Sequence, residues 1–212
     1  MMSRSKRQSS PPTLLAESTS GQKSADQLRS LRTVLMKNYD HVHTIQITSS
    51  TAGEGKTFLA VNLALSLSQI GQKTLLVDAN FATPGIAQAF DVPEAPGLLE
   101  MLDGQSEVTP QFTKYSNLTV VSTSSTTKSV TDQLAQPQFL RLLSQWKQEY
   151  DRIVIDSSAV IAHPDAQLIA TLTDATILTL KLKKTKKHEM HQALNLLEET
   201  QVNVLGWVAF KP

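Results

Sequence analysis

Three consecutive segments decide the fold: His-Thr-Ile-Gln-Ile-Thr at residues 43–48, Gly-Glu-Gly-Lys-Thr at 53–57, and Phe-Leu-Ala-Val-Asn-Leu-Ala-Leu-Ser-Leu at 58–67. The first is typical of a strand and the third of a buried helix. Glycines between them let backbone N–H groups converge on phosphate oxygens, and the start of a helix adds the positive end of its dipole. We therefore expect a strand, a phosphate-binding loop and a helix.

The loop predicts specific contacts to a nucleotide. Lys56 is expected to reach the β- and γ-phosphates, and the Thr57 hydroxyl to ligate Mg²⁺. The strict pattern G-x-x-x-x-G-K-[S/T] has a glycine where this chain has Ser50, so a chance glycine turn is the alternative. The flanking strand and helix favour ATP binding. The expected ATP contacts are Ala52, Gly53, Glu54, Gly55, Lys56, Thr57 and Phe58.

The composition excludes several function classes. The chain has 212 residues, a net charge of +1 and no cysteine. These values indicate one domain without disulfides, thiolate catalysis or a broad nucleic-acid surface, so no nucleic-acid partner is expected. Residues 1–20 are basic and rich in serine and proline, which predicts a disordered arm before a single domain at 21–212. No secretory signal follows the basic start, so a cytoplasmic protein is expected.

Apolar strand-like and helix-like segments alternate along the rest of the chain. This alternation predicts an α/β fold with a mostly parallel central sheet and helices on both faces. Together with the loop at 53–57, it indicates the three-layer P-loop NTPase fold. The Ser24–Gln27 pattern predicts that a first helix is capped at Ser24. The expected strands are 42–48, 73–78, 118–122, 152–156, 174–181 and 203–209; the expected helices are 57–70, 97–103, 137–149, 165–172 and 185–200.

Two aspartates, Asp78 and Asp156, end apolar strands. A buried carboxylate is costly unless a cation or hydrogen-bond donors meet it. Next to a phosphate loop that cation is Mg²⁺, held directly or through water. We therefore expect Asp78 and Asp156 to join Thr57 at the metal and to act with Lys56 in catalysis. The alternative for either aspartate is a cap on the following helix or turn.

Three segments together resemble the bacterial tyrosine kinases of capsule and exopolysaccharide synthesis, which share the P-loop fold of the partition and septum-positioning ATPases. Beside the loop, they are Asp26–Thr33, Val77–Pro84 and Tyr150–Ser158. The resemblance spans about residues 24–206. It implies a cytoplasmic ATP- and Mg²⁺-binding domain, a chain-length or export protein of the cell membrane as partner, and a location at the inner membrane face through that partner.

The first of these segments resembles a helix of the family that is implicated in subunit contact. Asp26, Arg29 and Arg32 are spaced so that they lie near one helix face, which suits a homo-oligomer contact. The alternative is an ordinary solvated face. The runner-up function is a partition-type ATPase that acts as a positioning switch. That group carries a signature lysine five residues before the main lysine, and this chain has Thr51 there.

Departures from the family pattern bear on phosphate transfer. The second carboxylate of the acidic motif is Asn80 here, and the basic residue after it is Ala82. If the general base of the family lies at that carboxylate, its loss costs about 10²–10⁴-fold in rate. The family's terminal tyrosine cluster is also not found before Pro212. Weak or absent autokinase activity is therefore expected, and a nucleotide-sensing binding module remains open beside an enzyme.

Three further features have more than one interpretation. Phe210 stands where the family often has an adenine-reading asparagine, so it either stacks on the base or packs at the domain edge. His188 and His191 have a spacing that can hold a metal, but no further ligand is evident. The basic run at 181–187 is either a solvated loop or a contact for an anionic partner or membrane.

Overall fold

The computed structural model describes residue 14 and residues 22–105, 108–126 and 129–211. Seven strands lie in this part of the chain: β1 (Thr44–Ser49), β2 (Thr74–Ala79), β3 (Gln111–Phe112), β4 (Leu118–Val121), β5 (Arg152–Ser157), β6 (Ala175–Lys181) and β7 (Val204–Phe210). The helices of the described residues are α1 (Gln22–Asn38), α2 (Lys56–Ser68), α3 (Ile86–Phe90), α4 (Leu98–Leu102), α5 (Thr131–Leu134), α6 (Pro137–Glu149), α7 (Pro164–Leu172) and α8 (Lys187–Glu198).

The strands form one sheet in the order β3-β4-β2-β5-β1-β6-β7. All neighbouring pairs are parallel except β3 with β4. Because β5 lies between β1 and β2, the loop that leaves β1 and the residues that end β2 and β5 share one edge of the sheet. Ligands of parallel sheets bind outside this carboxyl edge.

Helices cover both faces of the sheet, and neighbouring residues within a strand point to opposite faces. In β2, Leu76 packs in the cluster that contains α1 and α2, whereas Leu75 and Val77 pack in the cluster that contains α6. In β5, Val154 lies on the first side and Ile153 on the second. Strands that are buried on both faces explain the continuous apolar runs in the sequence. The expected fold class is confirmed.

The main differences from the sequence predictions concern ends and short elements. The prediction that Ser24 caps the first helix is wrong, because α1 already begins at Gln22. The expected arm at 1–20 lies outside the described residues except for Leu14, which is buried in the core. The short elements α3, α5 and β3 were not predicted, since two to five residues are too few to establish a periodicity.

None of the helices in the described ranges is both long and apolar enough to cross a membrane.

Asp174 fixes the opposite edge of the sheet, where the strands begin. One oxygen of its carboxylate accepts the backbone N–H groups of His43 (2.9 Å) and Thr44 (2.8 Å). The other accepts the Lys147 ammonium of α6 at 2.7 Å. Burial alone would raise the pKa of Asp174, but the contacts with Lys147 and Thr44 outweigh it and hold this pKa below its usual value. Asp174 therefore joins β1, β6 and α6 while it is ionised.

We expect Asp174→Asn to lower the free energy of unfolding at pH 7 by about 1–3 kcal/mol, because an amide cannot accept from all three donors. Since folding depresses the pKa of Asp174, its stabilisation is present above the unfolded pKa of about 3.9 and is lost as the pH falls through the folded value. Urea unfolding at several pH values measures this effect. The difference in the free energy of unfolding between wild type and variant should become smaller below about pH 4.

Lys147→Met is the matched control, because it leaves the two backbone hydrogen bonds to Asp174 intact. A partly exposed ion pair contributes about 0–1 kcal/mol, so the free energy of unfolding should fall less in this variant than in Asp174→Asn. Two outcomes would contradict the assigned role of Asp174. One is an equal loss of unfolding free energy in the two variants, and the other is a difference between wild type and Asp174→Asn that does not change with pH.

Candidate functional site

The phosphate-binding loop joins the end of β1 to the start of α2. Gly53 and Gly55 have φ angles of 78° and 90°, a region that glycine occupies without strain. Gly55 is the N-cap of α2, so the free N–H groups of the first helical turn face the loop. The Phe210 ring also lies so close to Gly55 that an added Cβ would come within 2.8 Å of it. Glycine is thus required here by both conformation and space.

Glu54 holds the loop in place from inside. Its side chain is buried, and it accepts the Thr51 N–H at 3.0 Å and the Thr185 hydroxyl. Thr185 in turn accepts the backbone N–H of Lys181 at 2.9 Å. The sequence predicted only that Glu54 contacts the nucleotide. The structure shows that its carboxylate ties the loop to the connection between β6 and α8, a role that the sequence analysis missed.

Lys56 is a buried cation at the start of α2. Its pKa is lowered by burial, an effect that Asp156 and Glu54 partly oppose. No carboxylate among the described residues lies within ion-pair distance of its ammonium group. A buried ammonium without a paired anion is costly. The loop therefore surrounds a positive charge that a bound phosphate would neutralise.

Thr57 and Asp156 are in direct contact. The Thr57 hydroxyl donates a 2.6 Å hydrogen bond to Oδ2 of Asp156. The other oxygen of this carboxylate, Oδ1, is buried and has no hydrogen-bond partner among the residues that the structure describes. Asp156 thus combines one oxygen held by Thr57 with one that is free to accept a cation or its water ligand.

Asp78 lies beside Asp156, since the two residues are paired in register between β2 and β5. Its carboxylate accepts three backbone N–H groups, from Asn80 (3.1 Å), Gly85 (2.9 Å) and Ile86 (3.0 Å). Both oxygens of Asp78 are therefore occupied by the loop that leads into α3. This contact corresponds to the capping alternative of the sequence analysis, and the structure shows it for Asp78 and not for Asp156.

Burial raises the pKa of both carboxyl groups, that of Asp156 to about 8 and that of Asp78 to about 6. Asp78 adds to the rise at Asp156 by charge repulsion, whereas the Thr57 hydroxyl and Lys56 oppose it. In Asp78 the three backbone hydrogen bonds oppose the rise. A divalent cation would reverse the balance at Asp156 by favouring its ionised form.

The residues at this site could supply part of the ligand set of Mg²⁺. The described residues contain no group of three or more histidines or carboxylates that would enclose a metal by themselves. Mg²⁺ in nucleotide sites is held by one or two protein oxygens together with phosphate oxygens and water. Thr57 and the partner-free Oδ1 of Asp156 supply that partial set, and Asp78 stands next to them with its oxygens already hydrogen-bonded.

Asn80 occupies the position of the missing second carboxylate and is buried. Its Oδ1 accepts the hydroxyl groups of Thr83 and Ser158, each at 3.4 Å. Asn80 follows β2 and Ser158 follows β5, so this contact links the two loops that come after the strands of Asp78 and Asp156. A carboxylate could accept the same two hydroxyls, but the amide brings no charge and no proton-accepting group of suitable basicity.

Phe210, at the end of β7, is partly buried and packs against Phe58 in the first turn of α2. Its ring meets the Phe58 ring edge to face, with the ring centres 5.5 Å apart. Together with the contact at Gly55, this places Phe210 against the phosphate-binding loop itself. The structure thus shows the packing contact, and it leaves stacking on a base as a separate expectation.

The three residues expected at a subunit contact differ in their surroundings. Arg29 pairs with Asp26 on the exposed surface of α1 at 2.5 Å. Arg32 instead turns toward α2 and donates to the carbonyl oxygen (2.8 Å) and the hydroxyl (3.1 Å) of Ser66. Arg32 therefore joins two helices of the same chain, while Asp26 and Arg29 remain on the outer face.

A scan of family models matches residues 42–205 to the AAA domain. The chain is 30% identical over 199 residues to the tyrosine-protein kinase ptk of Acinetobacter johnsonii, covering 92% of this chain but only 27% of that relative. It is 27% identical to the putative tyrosine-protein kinase CapB of Staphylococcus aureus, covering 88% of this chain and 84% of CapB. The chain thus spans about a quarter of the first relative and most of the second.

Among solved structures, the VpsO kinase domain superposes with a TM-score of 0.82 at 26% identity, covering 90% of this chain and 97% of that domain. The family match covers more than half of the chain, and it includes the loop and both aspartates. The chain therefore belongs to the AAA-domain family, and the relatives to which it is similar carry the name of bacterial tyrosine-protein kinases.

Proposed function

We propose that this protein binds ATP with Mg²⁺ and acts in capsule or exopolysaccharide synthesis or export. The observation that carries the proposal is a buried charge arrangement. Among the described residues, no carboxylate lies within ion-pair distance of the buried Lys56 ammonium, and Oδ1 of Asp156 has no hydrogen-bond partner. ATP with Mg²⁺ supplies the missing anion and the missing cation together. Thr57 and Asp156 would hold the metal, and the loop N–H groups with Lys56 would hold the phosphates.

The cellular setting of the proposal comes from the family. The chain resembles the bacterial tyrosine kinases of capsule and exopolysaccharide synthesis, so we propose that the cytoplasmic tail of a membrane chain-length or export protein is the partner and brings this chain to the inner face of the membrane. Binding of nucleotide next to Asp78 would change the loop into α3, because that loop is held by the Asp78 carboxylate. The partner would then sense whether nucleotide is bound.

Lys56→Met tests the binding site directly. We expect the affinity for ATP with Mg²⁺ to fall at least about 10-fold, because hydrogen bonds to charged groups contribute about 1.5–3 kcal/mol. Isothermal titration calorimetry at constant ionic strength measures this change. The matched control is Lys187→Met, which removes an exposed lysine at the start of α8 and should bind like wild type. Undiminished binding by Lys56→Met would refute the proposed site.

We further propose that phosphate transfer by this protein is weak, because Asn80 replaces the carboxylate that would act as general base. Restoring it in Asn80→Asp should raise Mg²⁺-dependent turnover of ATP by about 10²–10⁴-fold if the base is the only missing part. Asp at this position can still accept the Thr83 and Ser158 hydroxyls. Labelled ATP, with and without the tail of the partner, measures phosphate release and phosphotyrosine formation.

Asn80→Ala provides the comparison, since it changes the same site without adding a carboxylate and should show no gain. Robust phosphotyrosine formation by the wild-type protein, or equal rates in wild type and Asn80→Asp, would contradict the assigned effect of Asn80. Either outcome leaves the ATP-binding proposal standing, because Asn80 is not among the phosphate-binding residues.

A further inference from the structure

Lys184 lies outside the sequence motif but contacts the phosphate-binding loop. A methyl group placed on Gly53 would come within 3.2 Å of the Lys184 ammonium nitrogen. The residue belongs to the connection between β6 and α8, and it is exposed. Among the described residues, neither a carboxylate within ion-pair distance nor a hydrogen-bond acceptor engages this ammonium group. Lys184 therefore brings a second partner-free cation to the loop, in addition to Lys56.

The backbone of this connection is fixed, so the position of Lys184 follows from the fold. Lys183 adopts a left-handed conformation with φ of 64°, and the N–H groups of Lys184 (3.0 Å) and Thr185 (2.9 Å) both donate to the carbonyl oxygen of Lys181. These contacts form a tight turn. It is anchored to the phosphate-binding loop through the hydrogen bond from Thr185 to Glu54.

The charges at this end of the loop favour an anion. The Glu54 carboxylate is turned inward and satisfied by Thr51 and Thr185, so it does not approach Lys184 within ion-pair distance. Because Gly53 is exposed and has no side chain, the Lys184 ammonium can lie close to its backbone. A cation beside such a glycine, with no protein acceptor, has the chemistry of a phosphate contact.

We propose that Lys184 is a second phosphate-binding lysine of the nucleotide site, contributed by the same chain from outside the loop. The inference rests on the proposed function and extends it by naming a binding residue. Lys56 approaches the phosphates from the buried side of the loop, and Lys184 approaches from its exposed side. The basic run at 181–187 then has one member with a defined ligand, the phosphate chain of ATP.

The test compares ATP binding, with Mg²⁺ and at several salt concentrations, by wild type and three variants. Lys184→Ala should weaken binding about 10-fold at low ionic strength, as expected for the loss of a charge-assisted contact. Because Lys184 is exposed, the difference should shrink as salt is added. Lys184→Arg keeps the charge and should recover most of the affinity. Lys183→Ala removes an exposed charge from the same turn and should bind like wild type.

The outcomes separate this inference from the proposed function. If the wild-type protein does not bind ATP, the proposed function fails and the role of Lys184 fails with it. If wild type binds and Lys184→Ala binds equally well, only the inference is overturned. Equal losses in Lys184→Ala and Lys183→Ala would also overturn it, since they would indicate a general effect of basic charge. Thermal unfolding should show unchanged stability for all three variants.

Discussion

The hydrogen bond from Thr57 to Asp156 joins the first turn of α2 to the end of β5, and the whole candidate site is arranged around this contact. It requires that β5 lie next to β1, because only then do the loop after β1 and the Asp156 carboxylate meet. The same strand pairs with β2 on its other side and sets Asp78 opposite Asp156. A shift of one residue in this register would turn Asp156 to the other face of the sheet and remove the contact. The parallel order of three central strands thus determines the chemistry at their ends.

The buried charges of Lys56 and Asp156 would each be neutralised by a bound ligand. Among the residues that the structure describes, no carboxylate lies within ion-pair distance of the buried Lys56 ammonium. Burial also raises the pKa of Asp156, which disfavours its ionised form. Each group alone makes the ligand-free state less favourable. A phosphate beside Lys56 and a cation beside Asp156 would stabilise both ionised forms at once. Under the proposed function, nucleotide with Mg²⁺ would relieve this unfavourable arrangement and thereby stabilise the folded protein.

The sequence predicted the fold well and the site only in part, for physical reasons. Local periodicity located six of the seven strands and the long helices, and α6 was predicted with its observed bounds of 137–149. The loop motif likewise placed Lys56 and Thr57 at the start of α2. The contacts missed are long-range: Glu54 and Thr185 are 131 residues apart, and nothing in their neighbouring residues relates them. Lys184 was hidden in the same way, since in the sequence it is one of several lysines in a basic run, and only the turn before α8 brings it to Gly53.

Asn80 shows how binding and transfer can be separated in one site. Its amide accepts two hydroxyls between the loops that follow β2 and β5, so it contributes to the structure that positions both aspartates. A carboxylate there would be a third acidic group in a buried region where Asp78 already raises the pKa of Asp156. The neutral amide avoids that repulsion, which stabilises the ligand-free protein, but it cannot act as a base. Under the proposed function, Asn80 would thus favour nucleotide binding over rapid phosphate transfer, because the amide keeps the hydrogen bonds to Thr83 and Ser158 without supplying a base.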